Sequence, residues 1–152
     1  MAGRGSAACQ IQEVIVLDTN IVSALMQDEP DRKVQTWLDG LPRSSVWLTA
    51  ITVFEIRYGI EKLAKGRRRQ RLEEDFARIL NIALQDRILA LEADAAALAA
   101  VLAAKRKREG QATDLRDTLI AGIVISRRAE FATRNTRHFR DLPIRLINPW
   151  TA

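Results

Sequence analysis

Cysteine and histidine are almost missing from this chain of 152 residues. The lone cysteine, Cys9, stands among small residues near the start, so an intrachain disulfide framework and a Cys-rich zinc site are both excluded. The lone histidine, His138, argues against a Ser-His-Asp triad and a His-ligated zinc. Long apolar runs are missing too. None approaches the roughly 18 residues that would cross a bilayer, so no membrane partner is expected. Met1 to Gln12 is rich in Gly, Ala and Ser and lacks the apolar core of a signal peptide. Residues 1–12 are therefore read as a disordered lead-in to a cytoplasmic protein. No internal repeat or linker interrupts the rest, so residues 13–152 are read as one domain.

What is present is a globular composition. Hydrophobic residues at 47% and charged residues at 28% leave enough apolar surface for a core. The formal charge of +5 permits a phosphate-bearing partner without requiring one. Val14-Ile15-Val16-Leu17 is a continuous run of the kind that fits a strand buried on both faces of a parallel sheet. Val46 to Thr49, Ile88 to Leu91, Glu130 to Thr133 and Ile144 to Ile147 read as four more strands. Helical patterns lie between them, over 21–26, 32–39, 52–65, 68–84, 92–108 and 114–126. Inward stripes are expected from Leu72, Phe76, Ile79, Leu80 and Ala83; from Leu98, Val101 and Leu102; and from Leu115, Leu119, Ile120, Ile123 and Val124. Alternating strands and helices predict an α/β three-layer domain: a central, mostly parallel five-stranded sheet with helices on both faces.

Ligands of open parallel sheets bind beyond the carboxyl ends of the strands, so the polar residues there matter most. The first strand runs into Asp18-Thr19-Asn20, the second into a helix whose first turn holds Glu55, and the fourth into Thr133-Arg134-Asn135. The last long helix opens with Asp114 and Asp117. Clustered carboxylates repel one another unless a cation neutralises them, and Mg²⁺ takes oxygen ligands at about 2.0–2.1 Å. Beside a phosphodiester such a site polarises the phosphoryl oxygen and activates water. Structural readings stand beside the functional ones. Thr52-Val53-Phe54-Glu55 matches a helix capping box. Asp114 fits an N-cap, and Asp117 then suits the first-turn dipole. A structural reading is harder to sustain for Asp18, since a carboxylate directly after a buried strand needs partners or a metal.

Taken in order, these segments resemble the PIN-domain motifs. Asp18-Thr19-Asn20 resembles the opening signature, and Thr49 to Gly59 the second motif with its acid in an E-x-x-x-G helix. Asp117 to Ala121 resembles the third motif and Ala132 to Asn135 the fourth, while Asn148-Pro149-Trp150 is similar to the ending of the FitB-like branch of VapC toxins. The resemblance spans Val14 to Trp150. It implies a PIN-like fold and an Mg²⁺- or Mn²⁺-dependent endoribonuclease, the toxin of a type II toxin–antitoxin pair. Asp18, Glu55 and Asp117 would be the catalytic, metal-binding acids, with Asn20, Asp114, Thr133 and Asn135 in support. Many members of the family carry an acid where this chain has Asn135, which loses the charge and weakens the case for a second ion. A VapB- or FitA-like antitoxin and a homodimer are implied in the same way.

Basic residues cluster at 65–71, 105–108, 127–128 and 134–140. The last cluster flanks the acids, so Arg134, Arg137 and Arg140 are the candidates for RNA-backbone contact. The other clusters are read as solvated helix ends. His138 is read as a surface or packing residue, Trp37, Trp47 and Tyr58 as core, and Trp150 as packing back onto the domain. Two other functions compete: a catalytically weak PIN-fold module that binds RNA or protein, and a phosphoryl-transfer or receiver-like domain. Against the second, no further Asp follows two residues after Asp18 and no Lys follows the last strand.

Overall fold

The computed structural model describes residues 13–152, and the expected disordered lead-in, 1–12, lies outside the described residues. Strand β1 (Ile15–Leu17) is buried along its whole length. Its side chains alternate: Ile15 and Leu17 enter one core and Val16 the other. A strand read in both directions by apolar layers is the central strand of a three-layer fold, and the topology agrees. The order is β3 (Ile88–Leu89), β2 (Val46–Thr49), β1, β4 (Glu130–Ala132), β5 (Leu146–Ile147), all parallel.

One face is covered by α1 (Thr19–Leu25), α2 (Arg32–Asp39), α3 (Ala50–Glu61) and α4 (Arg67–Arg78), which contribute Ile21, Val34, Ile56 and Phe76 to the first core. The other is covered by α5 (Ala93–Arg108) and α6 (Leu115–Ser126), with Ala95, Ile120 and Ile123 in the second core. The chain builds outward from β1 to β2 and β3, then crosses to β4 on the opposite side. That reversal puts the topological switch between β1 and β4, where an open α/β sheet leaves its binding crevice. Among the described residues no helix is long and apolar enough to cross a membrane.

Several expected positions move, each for a packing reason. The helix expected over 68–84 is α only to Arg78 and continues as a π turn over Ile79–Ala83. There the Leu84 N–H donates to the Ile79 carbonyl at 2.9 Å. The extra residue per turn rotates the stripe, so Leu84 is buried and Ala83 exposed. On α5 the inward face is Ala95, Ala99 and Arg106 rather than Val101, which is 64% exposed. The cause is α6, which crosses so closely that a Cβ on Gly122 would lie 2.4 Å from the Ala95 carbonyl oxygen and 3.0 Å from Ala99 Cβ. Only alanine fits beneath it.

Leu115, the first residue of α6, overhangs the core edge and is exposed. Tyr58 is also not core. It lies on the outer side of α3, stacked on Phe54 at 5.8 Å, while Ile56 and Ile60 face inward. Trp37, Trp47 and Trp150 are partly buried and packed against the cores, as expected. Arg106 departs from the solvated helix-end reading: it is buried and donates to the His138 carbonyl at 2.8 Å.

Gly122→Ala tests the helix crossing. An exposed helical glycine gains stability on becoming alanine. Here the clash should reverse the sign and cost about 1–3 kcal/mol, read by urea unfolding. An equally stable or more stable variant would show that the α5–α6 approach is looser than described.

Candidate active site

Asp18 directly follows β1 and is 5% exposed. Its burial demands partners, and they come from two segments, the start of α1 and the end of β4. Oδ1 accepts the Thr19 N–H at 2.8 Å, which caps α1. Oδ2 accepts the Thr133 hydroxyl at 2.7 Å from the end of β4 and the Asn20 amide at 3.3 Å. Asn20 reaches across as well, its Oδ1 accepting the Arg134 N–H at 3.3 Å. The Thr133 hydroxyl also accepts the Asn135 N–H at 3.0 Å. Asn20, Thr133 and Asn135 thus form the polar collar of Asp18.

Glu55 is freed for the site by a shift in helix start. The capping-box reading places the cap at Thr52, but α3 begins at Ala50 with Thr49 as N-cap, its hydroxyl accepting the Thr52 N–H at 3.1 Å. Glu55 therefore does not reach back to a cap. Its Oε1 accepts the Thr19 hydroxyl at 3.1 Å, and Arg116 stands 4.0 Å from Oε2. Asp114 is the N-cap of α6, as the sequence suggests, accepting the N–H groups of Arg116 at 2.9 Å and Asp117 at 3.3 Å. Asp117 lies in the capped first turn, and its Oδ2 is 3.3 Å from His138 Nδ1.

Asp18, Glu55 and Asp117 line one cleft of about 380 Å³, together with Thr19, Asn20, Asp31, Arg134, Asn135 and Trp150. Asp114 does not line it. With Arg137, Arg140 and His138, it belongs to a neighbouring cavity of about 460 Å³ that Asp117 also borders. The acids feel one another. Burial pushes the Asp18 carboxyl above its ordinary value, with the charge of Asp117 adding to the rise. Burial also raises Glu55, against the lowering by the Thr19 hydrogen bond and Arg116, while Asp18 and Asp117 add repulsion. Among the described residues no three His, Cys, Asp or Glu stand close enough to form a ready metal cage. Each acid is held by its own donor instead. Carboxylate and hydroxyl oxygens are the donor chemistry that a hard divalent cation such as Mg²⁺ prefers.

Three contributors went unread in the sequence. Thr19 bridges Asp18 and Glu55, and only its place inside Asp18-Thr19-Asn20 signals it. His138 reaches Asp117, which nothing in its surroundings signals. Asp31 caps α2 through Oδ1 and accepts the Trp150 indole N–H at 3.0 Å through Oδ2, which holds its carboxyl below the usual range.

Comparison with known proteins shows the family and the fold. The PIN domain family model matches residues 15–144. The VapC ribonuclease Y4jK of Sinorhizobium fredii is 36% identical over 137 residues, covering 90% of this chain and 98% of that protein. Toxin FitB of Neisseria gonorrhoeae is 32% identical over 137 residues, covering 90% and 99%. The crystal structure of FitAcB from Neisseria gonorrhoeae superposes with a TM-score of 0.81 at 32% identity, covering 91% of this chain and all of that one. The chain belongs to the PIN-domain family, among its VapC and FitB toxins.

The raised acids set a sign for pH dependence. A carboxyl with a folded pKa above its unfolded value holds more protons folded than unfolded between the two values, so the metal-free fold gains stability from it as pH falls through that window. Asp18→Asn removes the term for Asp18. In chelator, wild type should melt no higher than Asp18→Asn at neutral pH, and the gap should close as the solution is made acid. A gap that stays constant, or a wild type that is the more stable at neutral pH, would contradict a strained carboxylate.

Proposed function

We propose that this protein is a divalent-metal-dependent endoribonuclease, the toxin of a type II toxin–antitoxin pair. The observation that carries the reading is the convergence of Asp18, Glu55 and Asp117, from three separate elements, on one cleft at the topological switch. When bound there, Mg²⁺ or Mn²⁺ supplies Lewis-acid stabilisation of the phosphodiester and acidifies water. The residues' part is to hold it. Asp18 is fixed in orientation by Thr133, Thr19 and Asn20, and Glu55 by Thr19. Asp117 stands at the first turn of α6, steadied by His138. Asn135 contributes an uncharged side chain to the same cleft, which favours one tightly held cation over two. Arg134, Arg137 and Arg140 supply positive charge beside the acids for the RNA backbone.

The partners follow from the relatives. A VapB- or FitA-like antitoxin in the cytoplasm is the assigned inhibitor, in keeping with the FitB and VapC names of the similar proteins. A homodimer is assigned to the exposed face of α3, where Phe54 and Tyr58 present stacked rings to solvent. Asn135, uncharged and lining the same cleft, favours a second reading, a weakly catalytic module that binds RNA or protein.

Cleavage of RNA by the purified chain separates the two. Cleavage should require Mg²⁺ or Mn²⁺. It should fall on the order of 100-fold or more in Asp18→Asn and in Asp117→Asn, as expected on losing a carboxylate that holds metal. Asp114→Asn keeps the helix cap and should keep most activity. RNA binding that persists in chelator with no cleavage on adding Mn²⁺ would establish the binding module instead.

A further inference from the structure

Resting on the ribonuclease reading, we propose that Trp150, tethered by Asp31, is a positioning residue that holds the Arg134 guanidinium at the cleft wall as the anchor for a backbone phosphate flanking the scissile one. The Arg134 guanidinium carbon sits 4.8 Å above the Trp150 ring. That is well within the roughly 6 Å over which a cation is held by an aromatic face. The ring is itself fixed. Its indole N–H donates to Asp31 Oδ2 at 3.0 Å, and its backbone N–H donates to Asn148 Oδ1 at 3.0 Å. Asp31 is anchored in turn, since its other oxygen caps α2 through the Lys33 and Val34 N–H groups at 3.0 and 3.3 Å.

Arg134 is pinned at both ends. Its backbone N–H donates to Asn20, whose amide also touches Asp18, so the residue is registered to the acids. The guanidinium lies over the ring and, among the described residues, none of its N–H donors is taken up by a hydrogen bond, so they remain available to a phosphate, a group that arginine binds through paired N–H donors. Among the described residues Arg134 forms no ion pair within 4.0 Å, although its charge reaches Asp31, whereas Arg116 stands 4.0 Å from Glu55. A side chain held in place before binding loses little entropy when the phosphate arrives. Asp31, Arg134 and Trp150 line the same cleft as Asp18, Glu55 and Asp117, so the anchored phosphate belongs to the strand being cut.

The test measures binding of a fluorescein-labelled 12-mer of uridine to the full chain in chelator, across a series of salt concentrations. One lost phosphate contact on a single strand lowers the slope of log K against log salt by about 0.7. Arg134→Ala and Trp150→Ala should each lower it by that amount, and the double variant by no more than either alone. Trp150→Phe keeps an aromatic face but loses the indole N–H tether to Asp31, so its slope should lie between those of wild type and Trp150→Ala. In Mg²⁺, Trp150→Ala should raise KM for RNA cleavage several-fold with kcat little changed. A Trp150→Ala protein that melts lower but keeps the wild-type slope and KM would show a packing residue only and overturn the proposal. So would weaker binding at an unchanged slope, the mark of a base stacked on the ring. If wild type neither binds the oligonucleotide nor cleaves RNA in Mg²⁺, the ribonuclease reading falls and this inference with it; a wild type that cleaves while the slopes do not move sinks the inference alone.

Discussion

The buried carboxylate of Asp18 is the constraint on which the rest of the site depends. A charge at the end of the central strand, 5% exposed, is costly unless every lone pair finds a donor. Its donors tie β1 to α1 through the Thr19 N–H and to β4 through Thr133. The same demand sets the backbone nearby, because Asn20 satisfies both Asp18 and the Arg134 N–H. Burial and the neighbouring acids still leave Asp18 and Glu55 easier to protonate than in water. The site therefore carries a strain that a better-packed polar residue would relieve, the common exchange of stability for function.

The sheet was legible in the sequence because its physics is local. A short β-branched apolar run has few options other than a strand buried on both faces, and Val14 to Leu17 is such a run. Asp18, Asn20 and Thr133 were legible for a related reason: strand ends of a parallel sheet share one edge. Asp114 could be read as a cap because capping needs only its own helix. The misreadings have other causes: one depends on contact between distant segments, and two on where a helix starts or changes its pitch. Val101 faces solvent because Gly122 lets α6 lie on alanines. Leu84 replaces Ala83 because a π turn rotates the helix phase. Thr52 loses its cap role to Thr49, a displacement of three residues that decides whether Glu55 serves a helix end or the cleft.

The same division runs through the site. The three acids could be named from motif and position, but their restraint could not. His138 beside Asp117, and Asp31 beneath Trp150, join positions 21 and 119 residues apart with no local pattern to mark them. Arg106 is similar: a member of a basic helix end in the sequence, it is buried and braces the His138 carbonyl, and so the loop that carries His138 to Asp117. The cleft is a product of long-range hydrogen bonding laid over a sheet edge that the sequence already defines.

Anomalous diffraction from a crystal grown with Mn²⁺ tests the central claim most directly. The strongest manganese peak should lie in the cleft among Asp18, Glu55 and Asp117, with at least one of their carboxylate oxygens at coordination distance, near 2 Å. A cleft without manganese, while peaks mark other carboxylates on the surface, would contradict a metal centre built on these acids.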